Sequence, residues 1–110
     1  MILLPDAERA ALERLLPIAR SDTGQSRKVA DFILAWWNAP THGGFDLTDV
    51  FAVDTGIAQD MATIFTFLSR QRVPVYPEEY RVEIEAIIRA WRSHPDGDER
   101  ADGALSDDAN

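Results

Sequence analysis

The tripeptide Asp-Thr-Gly occurs twice in this chain, at residues 22–24 and 54–56. Two such carboxylates about 3 Å apart, sharing one proton, form the acid–base pair of an aspartic protease. That chemistry needs rigid β-loops to hold the pair, within one chain or across a homodimer. Here both motifs fall between stripes of apolar residues that recur every three or four positions, which is helical periodicity. At such boundaries Asp and Thr serve as caps and Gly as a turn residue. The expectation is therefore two helix starts and no catalytic pair.

Other chemistries are thinly provided for. There is no cysteine, which excludes a disulfide framework, a thiolate metal site and a cysteine nucleophile. His42 and His94 are the only histidines, and their separation matches no metal-binding spacing. The run Asp96-Gly-Asp98-Glu99 lacks the twelve-residue ligand pattern of a calcium loop. Lys28 has no glycine-rich phosphate loop before it. Glu78, Glu79, Glu83 and Glu85 are acids of the kind that flank a glycosidic bond, but they read as the solvated side of a helix. We expect no enzyme activity, no cofactor and no metal.

Two features remain for binding. Arg20, Arg27 and Lys28 surround one turn and could contact phosphate or an acidic partner, unless they pair with Asp22 and Asp31. Among the aromatic residues, Trp37, Phe67 and Tyr76 lie off the main apolar stripes. Exposed aromatic side chains anchor interfaces, and a homodimer or a protein partner would use them. These six residues are the candidate partner-binding set.

The elements that would position them are helices. Residues 5–20 carry Leu12, Leu15, Leu16 and Ala19 on one face, with Pro17 expected to kink or end the helix. Residues 25–38 carry Val29, Phe32, Ile33 and Trp36, widened by Ala30, Leu34 and Trp37. This helix is expected at the centre, with Trp36 fully inside and Trp37 at the margin. A loop from Asn38 to Gly44 follows, then Phe45 as an anchor. Next comes a short helix capped by Asp46 or Thr48, with Leu47, Val50 and Phe51 buried. A helix from Asp54 or Thr55 to about Gln71 shows Ile57, Met61, Ile64, Phe65 and Leu68 in one stripe. Val73-Pro-Val-Tyr-Pro77 reads as extended. A last helix from Pro77 carries Tyr80, Ile84, Ile87, Ile88 and Trp91, and His94-Pro95 ends it. The predicted fold class is all-α, a compact bundle of four longer helices plus one short helix.

Composition agrees with one domain. The chain has 110 residues, 45% of them hydrophobic, and a net charge of −8. Residues 96–110 hold six of the nineteen acids and one base, with Leu105 as their sole large apolar side chain. Such a segment cannot bury enough surface to offset its ordering entropy. The expectation is a helical domain over residues 1–95 and a disordered acidic tail over 96–110. The acidic balance makes nucleic acid a poor partner. No apolar run approaches the roughly 20 residues that span a bilayer, and the start lacks the charged region of a signal peptide. A cytoplasmic protein with no membrane contact is expected, as the absence of cysteine also suggests.

The run Asp22-Thr-Gly-Gln-Ser-Arg-Lys-Val-Ala-Asp-Phe-Ile-Leu-Ala-Trp-Trp-Asn-Ala39, followed by Gly43-Gly-Phe-Asp-Leu-Thr-Asp49, resembles an uncharacterised bacterial family associated with plasmids and integrative conjugative elements of proteobacteria. The resemblance covers about residues 4–92 and brings no known activity. It implies an accessory protein of a mobile element, and such proteins often block host defence, as anti-CRISPR inhibitors do. The expected function is thus a non-enzymatic protein-binding module, an inhibitor of a host defence complex. The alternative is a small regulator touching nucleic acid through Arg20, Arg27 and Lys28.

Overall fold

The computed structural model describes residues 3–92. His94, the Asp96–Glu99 run and the expected acidic tail lie outside them. Four α-helices, α1 (Asp6–Arg20), α2 (Gly24–His42), α3 (Thr55–Ser69) and α4 (Arg81–Trp91), carry the fold. Two 3-10 segments, Leu47–Ala52 and Glu78–Tyr80, precede α3 and α4. The all-α class is as the periodicity predicts, and no strand occurs among the described residues.

The middle position belongs to α1 rather than α2. Helix α1 packs against α2, α3 and α4, while α2 also meets α4. Its buried side chains Ala11, Leu12, Leu15, Leu16 and Ala19 supply the wall the others share. Val29, Ala30, Ile33 and Leu34 of α2, Met61 and Ile64 of α3, and Ile84 and Ile87 of α4 close around it. Pro17 neither ends nor breaks α1, which runs one more turn to Arg20. The ring is exposed, so the carbonyl of Glu13, which Pro17 deprives of its helical donor, can turn to water.

Trp36 is half-buried, not fully inside. Its indole N–H must find an acceptor and donates to the carbonyl of Val75 at 2.7 Å. This pins the extended segment before α4 to α2. Trp91 does the same from α4, donating to the carbonyl of Ala19 at 2.7 Å. Helix α2 changes direction at Asn38 (φ −170°, ψ 79°). Asn38 Oδ1 accepts from the amide of Thr41 at 3.2 Å, so it caps a further turn where a loop was expected. Gly43 closes that turn at φ 95°, where a side chain would be strained, with its amide on the carbonyl of Ala39.

The two Asp-Thr-Gly motifs open α2 and α3. Thr23 Oγ1 accepts from the amide of Ser26 at 3.0 Å, and the two hydroxyls are 2.8 Å apart. The Ser26 side chain is buried, so this pair satisfies a polar group inside the fold. Thr23→Ala should cost about 1–2 kcal/mol, the upper part of the range for a lost cap. The shift of the urea midpoint at constant slope measures it.

Candidate functional site

The segment Leu47–Ala52 buries none of its residues, against the expectation of a buried Leu47, Val50 and Phe51. Its start is fixed: Asp46 Oδ1 accepts from the amide of Thr48 at 2.9 Å and from its hydroxyl at 2.7 Å. Its end is fixed too, because the amide of Asp54 donates to Gln25 Oε1 at 2.6 Å. Held to α2 by Phe45 on Phe32 before it and by the Gln25 contact after it, the segment leaves its apolar side chains outside the neighbouring helices. Leu47 is 75% exposed and Phe51 89% exposed.

Phe65 also departs from expectation, standing 64% exposed. At about 100° per residue, Ile57, Met61, Ile64 and Leu68 centre the stripe that faces the core. Phe65, Ala58 and Ala62 lie about 80–140° to one side of it, and Phe67 about 80° to the other. Phe67 is half-buried against the core; Phe65 is not covered. The result is an apolar groove between α2, the 3-10 segment and α3. It is lined by Phe32, Phe45, Leu47, Val50, Ala58, Met61, Ala62 and Phe65 and encloses about 140 Å³. Phe45 acts as the anchor expected of it, meeting Phe32 edge to face with centroids 5.4 Å apart. That contact forms the wall of the groove towards α2.

The six candidate partner-binding residues do not converge. Trp37 and Tyr76 line a second, shallow concavity with Asn38, Glu78 and Arg81, of about 240 Å³. There the Arg81 guanidinium lies 5.0 Å over the Trp37 ring and also pairs with Glu78 and Glu85. Its charge is already engaged. Tyr76 is exposed as expected. Arg20 and Arg27 are exposed and Lys28 is half-buried at the junction of α1 and α2. Asp31, one of the two acids they could have paired with, is bound instead by Arg92, whose Nε also donates to the carbonyl of His42 at 2.9 Å. The acids Asp22 and Asp54 are both exposed at helix starts. Among the described residues no group of three or more His, Cys, Asp or Glu could hold a metal ion, and no helix is long and apolar enough to cross a membrane.

The remaining polar contacts join helix to helix. Arg14 holds Asp60 in a two-pronged pair at 2.8 and 3.0 Å, tying α1 to α3. Arg9 contacts Glu79 at 2.6 Å and Tyr80 Oη at 3.2 Å, and the Tyr80 hydroxyl donates to Glu13 at 2.6 Å. Burial and then the Glu13 contact hold the Tyr80 phenol above its ordinary pKa. His42 is held below its ordinary value by burial first and the Arg92 charge second. A histidine that binds its proton less readily when folded gives full stability above pH 6.5, its unfolded value, and loses it as pH falls towards the folded one. Stability should therefore drop from pH 7 to 5, and His42→Asn should flatten that part of the profile in melts at matched ionic strength.

Residues 9–92 match the model of a family of unknown function, DUF7673. The chain belongs to this family. The DUF7673 segment starts at Arg9, somewhat later than the resemblance implied, and takes in all of α2, α3, α4 and the apolar groove. No curated protein and no solved structure matches the chain. The groove was missed in the sequence because Leu47, Val50, Phe51 and Phe65 were all assigned to core. The available signal was an excess on α3, where Ile57, Ala58, Met61, Ala62, Ile64, Phe65, Phe67 and Leu68 are too many for one stripe.

Proposed function

We propose that this DUF7673 protein is a non-enzymatic protein-binding module whose partner docks in the groove between α2, the 3-10 segment and α3. The observation that carries this reading is the exposure of Leu47, Val50 and Phe65 around one apolar concavity. Large exposed apolar patches on a folded domain mark interaction surfaces, and aromatic side chains dominate their energetics. The resemblance to a mobile-element family supplies the context, in which docking onto a host defence complex would inhibit it. A cytoplasmic setting belongs to the same reading.

The test is site-specific photocrosslinking. A photoreactive side chain at position 51, beside the groove, is compared with one at Val82, which is equally apolar and 75% exposed on α4. The adduct at position 51 should be a single protein species, absent at position 82 and lost when Phe65→Asp is added. Equal labelling at both positions, or persistence with Phe65→Asp, would remove the reading.

The alternative, nucleic-acid contact through Arg20, Arg27 and Lys28, draws on one observation: none of the three lies in an ion pair among the described residues. Three cations against a net charge of −8 give little attraction to phosphate. We expect no gel shift of duplex DNA even at about 20 mM salt, where phosphate contacts are strongest.

A further inference from the structure

We infer that the groove takes an amphipathic helix of another protein, with one large apolar anchor and Lys or Arg flanking its apolar stripe. This rests on the docking reading above and adds the chemistry of the partner.

The size of the groove sets the anchor. A dry apolar cavity of roughly 150 Å³ takes up a benzene-sized group, and this one measures about 140 Å³. It admits one Phe- or Leu-sized side chain, not several. The α3 wall sets the form of the ligand. Ala58, Ala62 and Phe65 stand at i, i+4 and i+7 along one flank. The two alanines let a second helix axis approach to about 8 Å, the near limit of helix packing, and Phe65 closes the end. A ligand that adds as a β-strand would need an unpaired strand edge, and the described residues contain no strand.

Charge chooses the partner. Between Gly43 and Ser69 the chain carries Asp46, Asp49, Asp54 and Asp60 and no Lys or Arg. Asp60 is taken by Arg14. Asp54 lies with Arg14 and Asp60 on a separate concavity against α1, while Asp46 and Asp49, at the start of and within the segment that forms one lip of the groove, are in no ion pair among the described residues. A second copy docking by two-fold symmetry would set this patch against itself and oppose like charges. The chain's own residues 96–110, with six acids and one base, carry the wrong sign. A cationic helix meets the acids and fills the groove together.

The test uses the full chain and two synthetic 18-residue helical peptides with Leu and Phe at i, i+3, i+4 and i+7. One carries Lys and Arg on the flanks, the other Glu. Fluorescence anisotropy should give about tenfold tighter binding for the cationic peptide, from a few exposed pairs. That ratio should shrink towards one as salt rises from about 50 to 500 mM, because such pairs are screened. The double substitution Asp46→Asn and Asp49→Asn keeps a side chain at position 46 able to cap and should abolish the preference while leaving the apolar binding. Equal affinity for the two peptides overturns the cationic partner but leaves the groove as a docking site. No binding of either at about 1 mM overturns both. A dimer in sedimentation that Phe65→Asp dissociates overturns it in favour of a second copy.

Discussion

Leu15→Ala should lower stability by about 2–5 kcal/mol, the range for deleting a large aliphatic side chain from a sealed core. Leu15 is fully buried on α1, the helix against which α2, α3 and α4 all pack. The cavity would open where few neighbours can collapse without leaving another helix. For a domain of this size, 1 kcal/mol moves Tm by roughly 4–8 °C, so a loss of about 3 kcal/mol lowers it by roughly 12–24 °C. Thermal melting followed by circular dichroism at 222 nm measures this. Leu47→Ala is the matched control: the same atoms are removed from a residue 75% exposed, and the change should stay within about 0.5 kcal/mol. Equal losses at the two positions would mean that Leu47 is covered and the groove is not open.

Leu47→Asp and Phe65→Asp, both in the groove lining, should each weaken binding of the cationic helical peptide at least about 30-fold, a hot-spot loss of 2 kcal/mol or more. Both should leave Tm nearly unchanged, since an exposed apolar side chain contributes little to the core. Phe67→Asp provides the contrast. It lies on the opposite flank of the same helix, half-buried against the core, and a carboxylate there is costly to bury without a partner. That variant should lose stability instead of selectively losing affinity. Anisotropy titration and melting on the same three variants separate the two effects. A Phe65→Asp protein that melts as early as Phe67→Asp would place Phe65 in the core after all.

Helical periodicity identified the fold class, the order of the four long helices and most of the buried stripe, because on α1 and α4 the large apolar residues gather on one face, Val82 excepted. It was less informative for α3. There the apolar arc is so wide that Phe65, expected in the stripe, and Phe67, expected off it, lie at similar angles to either side of its centre, and the packing reverses them. Which is covered depends on where the neighbouring helices lie, and this is a tertiary property. The short element failed for a different reason: Leu47, Val50 and Phe51 have the right spacing, but the contacts of Phe45 with Phe32 and of Asp54 with Gln25 decide which way it faces. Trp36 was placed too deep because its indole N–H needs an acceptor, which Val75, thirty-nine residues later, supplies. The candidate site was accordingly the part hardest to read, since it consists of apolar residues that pattern alone assigns to the interior.

The contacts of α1 with the far end of the domain bear on how the chain is made. Leu4 and Arg9 reach Glu79, and Glu13 reaches Tyr80, across sequence separations of 67 to 75 residues. During synthesis at about 5–20 residues per second, α1 would leave the ribosome roughly 4–15 s before its last partners. Through that interval the Leu12 and Leu15 face has α2 and then α3 to lean on but lacks its closing side. Slow codons placed after Ser69 would lengthen this vulnerable period, and a nascent-chain chaperone would find its target there.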